Sequence, residues 1–197
     1  MRYTTRLDNA LKLSTTLHQG QCRKDAEGTP YSMHPVAVMC IAGEYTDDED
    51  VLVAALLHDV LEDVELPYEE KEVLIRDNFG ERVLTIVRSV SEEKDPMEHS
   101  DAKETWRERK LAYLKGLEED GDEARIVCAA DKIHNLMSML SSYEKEGPVL
   151  WERFNSSADD RVWFYEEVLA MLRRHTDNPI VDELERRVNE FRAISVR

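Results

Sequence analysis

Apolar residues recur at helical spacing along most of the chain. Leu7, Leu11, Leu13 and Leu17 predict a first helix running to about Cys22, and Gly28 and Pro30 interrupt the polar stretch that follows. His34-Pro35 marks a second start, since proline suits the first helical turn, and Val36, Ala37, Met39, Cys40 and Ile41 carry that helix to about Tyr45. Thr46-Asp47-Asp48 offers capping side chains for a helix from Asp50 to about Val64. This helix is apolar on nearly every side as far as Leu57, the pattern of a buried central element. Further helices are predicted over Tyr68–Asn78, Glu81–Val90, Thr105–Leu117 and Asp122–Tyr143, with Gly147-Pro148 closing the last. A short helix at Trp151–Phe154 and longer ones at Asp159–Arg174 and Pro179–Phe191 complete the pattern. No strand-period segment, repeat or linker stands out. The expectation is an all-α fold, one domain over 1–197 with a core at about 5–170 and a helical extension at about 176–195, in a bundle of about eight to ten helices.

Composition agrees: 7 glycines and 6 prolines in 197 residues are too few for a turn-rich β architecture. Charge adds more. With 26 Lys+Arg against 42 Asp+Glu the net charge is −16, which repels nucleic-acid phosphates and argues against DNA or RNA as partners. The N-terminus lacks a signal peptide's apolar stretch and no run is long enough to span a bilayer, so a cytoplasmic, membrane-free protein is expected. Cys22, Cys40 and Cys128 form no CxxC pattern; Cys40 and Cys128 lie in apolar runs and read as small core residues.

Two apolar helices contain groups that such helices avoid. The first carries His58, Asp59, Glu62 and Asp63, the second Asp131, and a buried carboxylate is costly unless paired or metal-bound. His58/Glu62 and Asp59/Asp63 are i,i+4 pairs, forming two rows on adjoining flanks. Imidazole and carboxylate together suit Mn²⁺, Fe²⁺, Co²⁺ or Zn²⁺, and His34 on a neighbouring helix could complete the set. Each piece alone has an ordinary structural reading; the combination does not.

These residues, His34, His58-Asp59 and Asp131, follow the H…HD…D order of the HD-domain metal-dependent phosphohydrolases. The segments HQGQCRKDAEGTPYSMHP (18–35), AALLHDVLEDV (54–64), FGERV (79–83) and AADKIHNL (129–136) resemble the hydrolase domain of RelA/SpoT enzymes. Within that group the chain is similar to the stand-alone small alarmone hydrolases, including the metazoan SpoT homologues, over about residues 5–170. The resemblance implies one Mn²⁺ ion, or another divalent metal, held by His34, His58, Asp59 and Asp131. It implies Glu62 and Asp63 as the catalytic pair that positions and activates water, and guanosine tetra- or pentaphosphate as the nucleotide substrate, losing its 3′-pyrophosphate. Alternatives are (p)ppApp, NADPH or another nucleotide, or a non-catalytic nucleotide-binding module. The oligomeric state stays open.

Arg23 and Lys24, adjacent cations in an acidic chain, match a pair that contacts substrate in the family; otherwise they are a solvated helix end. Asn135, four residues from Asp131, shares its face and is a further candidate for substrate binding. Lys132 and His134 are expected to point elsewhere, His134 as a packing residue. The stretch 92–110 is the expected rim, with Lys94 and Arg109 as candidates for the pyrophosphate. Arg153 is a candidate phosphate contact, and Val162, Phe164, Tyr165, Val168 and Leu169 read as helix packing.

Overall fold

The computed structural model describes residues 2–92, 106–154 and 156–195. Among them the fold is all-α: α1 (Thr5–Leu17), α2 (Met33–Ala42), α3 (Glu49–Leu57), α4 (Val60–Asp63), α5 (Tyr68–Phe79), α6 (Glu81–Val90), α7 (Trp106–Glu119), α8 (Asp122–Glu146), a 3-10 segment (Gly147–Arg153), α9 (Ala158–His175) and α10 (Ile180–Ser195).

Helices α2, α3 and α8 form the centre. Every residue of α3 from Val51 to Leu57 is buried, as its unbroken apolar run requires. The side chain of Asp48 caps this helix by accepting from the Asp50 N–H at 3.0 Å. Arg6 and Arg82 both bind Asp50, tying the start of α3 to α1 and α6. The surrounding helices feed one buried cluster that runs from Leu7 to Phe191. Burying each of its leucines contributes roughly 1.5–3 kcal/mol. Helix α8 ends at Gly147, whose φ of 64° is open to glycine and whose N–H closes on the Tyr143 carbonyl.

Three departures from the sequence pattern shape the site. The first helix stops at Leu17 rather than near Cys22, because Gly20 takes φ 83° and turns the chain. Residues 22–30 then form a small loop closed by an antiparallel bridge between Cys22 and Pro30, with Arg23 N–H donating to Thr29 O at 2.8 Å. The expected single helix over 50–64 is two helices, broken at His58-Asp59. There the His58 ring bonds the Ala55 carbonyl at 2.8 Å, competing with the backbone for its acceptor. Cys40 is exposed rather than in the core, lying on the outer side of α2; Cys128 is buried as expected.

Candidate metal centre and adjoining cavity

The break after α3 leaves His58 as its last turn and Asp59 as the first residue of α4's approach, so both side chains leave the buried helix toward α2 and α8. His34 enters from the first turn of α2 and Asp131 from the middle of α8. The Nε2 of His34 lies 3.3 Å from Asp59 Oδ2, 3.2 Å from Asp131 Oδ1 and 3.2 Å from His58 Nε2. The Nε2 of His58 lies 3.2 Å from Asp59 Oδ1 and 3.7 Å from Asp131 Oδ1. His34, His58 and Asp59 each offer a ligand atom within 4.8 Å of the others.

The donor chemistry fits a divalent metal ion. His58 Nδ1 faces the Ala55 carbonyl, which can only accept, so that nitrogen carries the proton and Nε2 turns a lone pair toward two carboxylates. Facing lone pairs repel unless a cation stands between them. Without a metal that cation is a proton: burial pulls the His58 imidazole down, but Asp59 and Asp131 override it and push it up to about 9. Against the opposing effect of burial, the imidazoles hold Asp59 below the ordinary carboxylate range. Asp131 is likewise lowered despite burial, chiefly by Lys132.

The supporting groups include several that the sequence pattern did not single out. His134, expected to pack elsewhere, places Nδ1 2.7 Å from Nδ1 of His34. Burial and the neighbouring His34 and Arg23 pull His134 down to about 4, so it is neutral and can accept the His34 Nδ1 proton, leaving His34 Nε2 free to ligate. Lys132, also expected to point away, holds Asp131 Oδ2 at 2.5 Å beneath the rings of Tyr113 and Phe164. Tyr31 sets its hydroxyl between Asp59 Oδ2 at 2.7 Å and Asp63 Oδ2 at 2.8 Å, one proton serving two carboxylates. Gln21 donates to the Asp63 carbonyl at 2.7 Å.

Two connected spaces meet here. A cleft of about 170 Å³ contains His34, His58, Asp59 and Asp131, with Glu62, Glu92, Lys110 and Lys132 around it. A larger cavity of about 650 Å³ adjoins it, and Arg23, Tyr31 and Asn135 line both. Lys24 and Asp63 line the larger space. Arg23 donates to Asn135 Oδ1 at 2.8 Å, and Asn135 donates in turn to Asp131 Oδ1 at 2.5 Å. Glu62 Oε1 accepts the Glu92 backbone N–H at 2.7 Å. Lys94 lies outside the described residues. Arg109 turns to Glu92 at 3.6 Å and lines neither space; among the described residues of this stretch, the cation that reaches the cleft is Lys110, ion-paired with Glu92. Arg153 is engaged by Glu146 at 2.9 Å instead of facing the cavity.

An HD domain family matches residues 10–154. The chain is 36% identical over 136 residues to the bifunctional (p)ppGpp synthase/hydrolase SpoT of Escherichia coli (strain K12), an alignment covering 69% of this chain and 18% of that protein. It thus spans less than a fifth of that relative's length. It is 35% identical over 133 residues to the guanosine-3′,5′-bis(diphosphate) 3′-pyrophosphohydrolase MESH1 of Xenopus tropicalis, covering 66% of this chain and 67% of that one. Among solved structures, a metazoan ortholog of SpoT described as hydrolysing ppGpp and acting in starvation responses aligns at TM-score 0.75 and 27% identity, over 96% of this chain and 97% of its own.

Proposed function

The chain belongs to the HD domain family, and on that premise we propose that it is a Mn²⁺-dependent (p)ppGpp 3′-pyrophosphohydrolase, converting ppGpp and pppGpp to GDP and GTP with release of pyrophosphate. The observation that carries this reading is the junction of the two spaces: a metal-fitting donor set opens directly into a cavity lined by Arg23 and Lys24, cations without a carboxylate partner among the described residues. His34, His58, Asp59 and Asp131 would hold the ion. When bound, it supplies Lewis acidity toward a phosphoryl oxygen and makes water easier to deprotonate.

The chain's own residues do the rest. Glu62, within the cleft, takes the proton of the attacking water; Asp63, tied to Asp59 through Tyr31, orients it. The bond that breaks joins the 3′ oxygen to phosphorus, and that oxygen leaves with a proton. Arg23 and Lys24 offset the substrate's charge, and the Arg23–Asn135–Asp131 chain couples the nucleotide's position to a ligand of the ion. The whole of 1–197 acts as one domain. No described helix is long and apolar enough to cross a membrane, and the three cysteines are free; we place the protein in the cytoplasm.

The test is turnover by metal-free protein reloaded with Mn²⁺, Fe²⁺, Co²⁺ or Zn²⁺ in turn. Products from ppGpp, ppApp and NADPH are identified by mass. Mn²⁺-dependent release of pyrophosphate and GDP from ppGpp is expected; its absence with every metal overturns the reading.

A further inference from the structure

Arg161, near the start of α9, lines the larger cavity but not the metal cleft. Its guanidinium stacks on Phe154 at 3.9 Å from the ring centroid. Among the described residues its Nη1 finds only the weak acceptor Sδ of Met139 at 4.0 Å, and its Nε is buried with no hydrogen-bond partner. This is anomalous in a chain with 42 acidic and 26 basic residues, where Arg82 alone collects Asp48, Asp50 and Glu123. Burial lowers the basicity of Arg161, and among the described residues no carboxylate opposes that effect. A part-buried guanidinium left without an anion is costly, and such groups persist where a ligand supplies the missing charge. A planar fork stacked on an aromatic ring is also pre-set for bidentate contact with phosphate.

We propose that Arg161 is a specificity-determining residue that binds a second anionic group of the substrate, the 5′-phosphates, at the end of the nucleotide away from the bond that breaks. The inference rests on the reading above, which puts the scissile 3′ group at the metal. Arg23, Tyr31 and Asn135 line both spaces, so a nucleoside seated among them directs one ribose substituent into the cleft and the other into the chamber that holds Arg161. A chamber of about 650 Å³ has room for a nucleotide. Arg161 thus distinguishes a doubly phosphorylated nucleotide from one phosphorylated at the 3′ position alone.

The experiment compares wild type, Arg161→Met and Arg161→Lys, each first checked for folding by circular dichroism. Calorimetry measures binding of GDP against guanosine. The expected result is a preference for GDP that falls about tenfold or more in Arg161→Met and is partly kept in Arg161→Lys. In turnover, KM for ppGpp should rise in Arg161→Met until the wild-type advantage over guanosine 3′-diphosphate disappears. Equal weakening of GDP and guanosine, or an unchanged GDP preference, overturns the proposal. Because GDP carries no 3′ phosphate, the binding arm decides the role of Arg161 even if ppGpp is not cleaved; failure to cleave it counts against the hydrolase reading alone.

Discussion

Loading the centre with metal must expel a proton, and the geometry says which one. His58 Nδ1–H is committed to Ala55 O, so only Nε2 can carry the proton that separates this ring from Asp59 and Asp131. Those carboxylates push the imidazole up to about 9, from an ordinary value near 6.5. The difference corresponds to about 3 kcal/mol in net favour of the imidazolium, after burial has opposed the carboxylates. At pH 7 the metal-free site is therefore protonated on His58. A divalent ion takes the same lone pair, so binding at pH 7 releases about one proton per ion, and apparent affinity rises about tenfold per pH unit until pH 9. Titration calorimetry in buffers of differing ionisation enthalpy counts the protons. The stability of metal-free protein moves the other way. The raised folded-state value stabilises it fully below pH 6.5, and this is lost as pH climbs through about 9. A proton count near zero at pH 7, with affinity flat between pH 7 and 8.5, refutes this account of the centre.

Asp59→Ala removes a carboxylate facing both histidines and should lose metal and turnover together, read by metal analysis and pyrophosphate release. Glu62→Gln should keep metal content while kcat falls about 10²–10⁴-fold, as for a lost general base; wild-type kcat in this variant removes Glu62 from the reaction. Tyr31→Phe takes away the proton shared by Asp59 and Asp63 and should weaken metal binding about tenfold, measured by competition with a chelating dye. Lys71, buried, donates to the carbonyls of Leu61 at 2.5 Å and Val64 at 3.3 Å around the end of α4. Lys71→Met should cost about 1–3 kcal/mol in thermal or urea unfolding, and an unchanged midpoint contradicts that role.

Much of this architecture is written in local pattern. The bounds of α6, Glu81–Val90, follow from a one-sided apolar stripe, and Asp131 and Asn135 meet through ordinary i,i+4 geometry. His34, His58, Asp59 and Asp131 stood out because apolar helices do not carry such groups idly. The break at His58-Asp59 did not, since neither residue forbids a helix and the competing bond to Ala55 is a matter of rotamer. His134 could have been found: three residues from Asp131, it lies on the same helical face. Lys132 is one residue away and reaches Asp131 only because its long side chain bends back under Tyr113. Tyr31 meets partners 28 and 32 residues distant, and Arg161 faces a cavity built by other helices. No local periodicity encodes such encounters.

The net charge of −16 takes on a different meaning once its distribution is known. On the surface, arginines such as Arg82, Arg88, Arg107 and Arg173 are matched with carboxylates and carry little free field. Arg23, Lys24 and Arg161 line one cavity and have no ion pair among the described residues. The acidic exterior therefore discourages any extended polyanion, whose charges would run along the repelling surface, while a compact anion small enough to enter meets cations in a space of restricted solvent access. Beside it, the converging imidazole and carboxylate groups of the cleft fit a divalent metal. On the proposed function, the acidic exterior, the cations without ion pairs in the cavity and the converging lone pairs in the cleft would together favour a small, highly phosphorylated molecule.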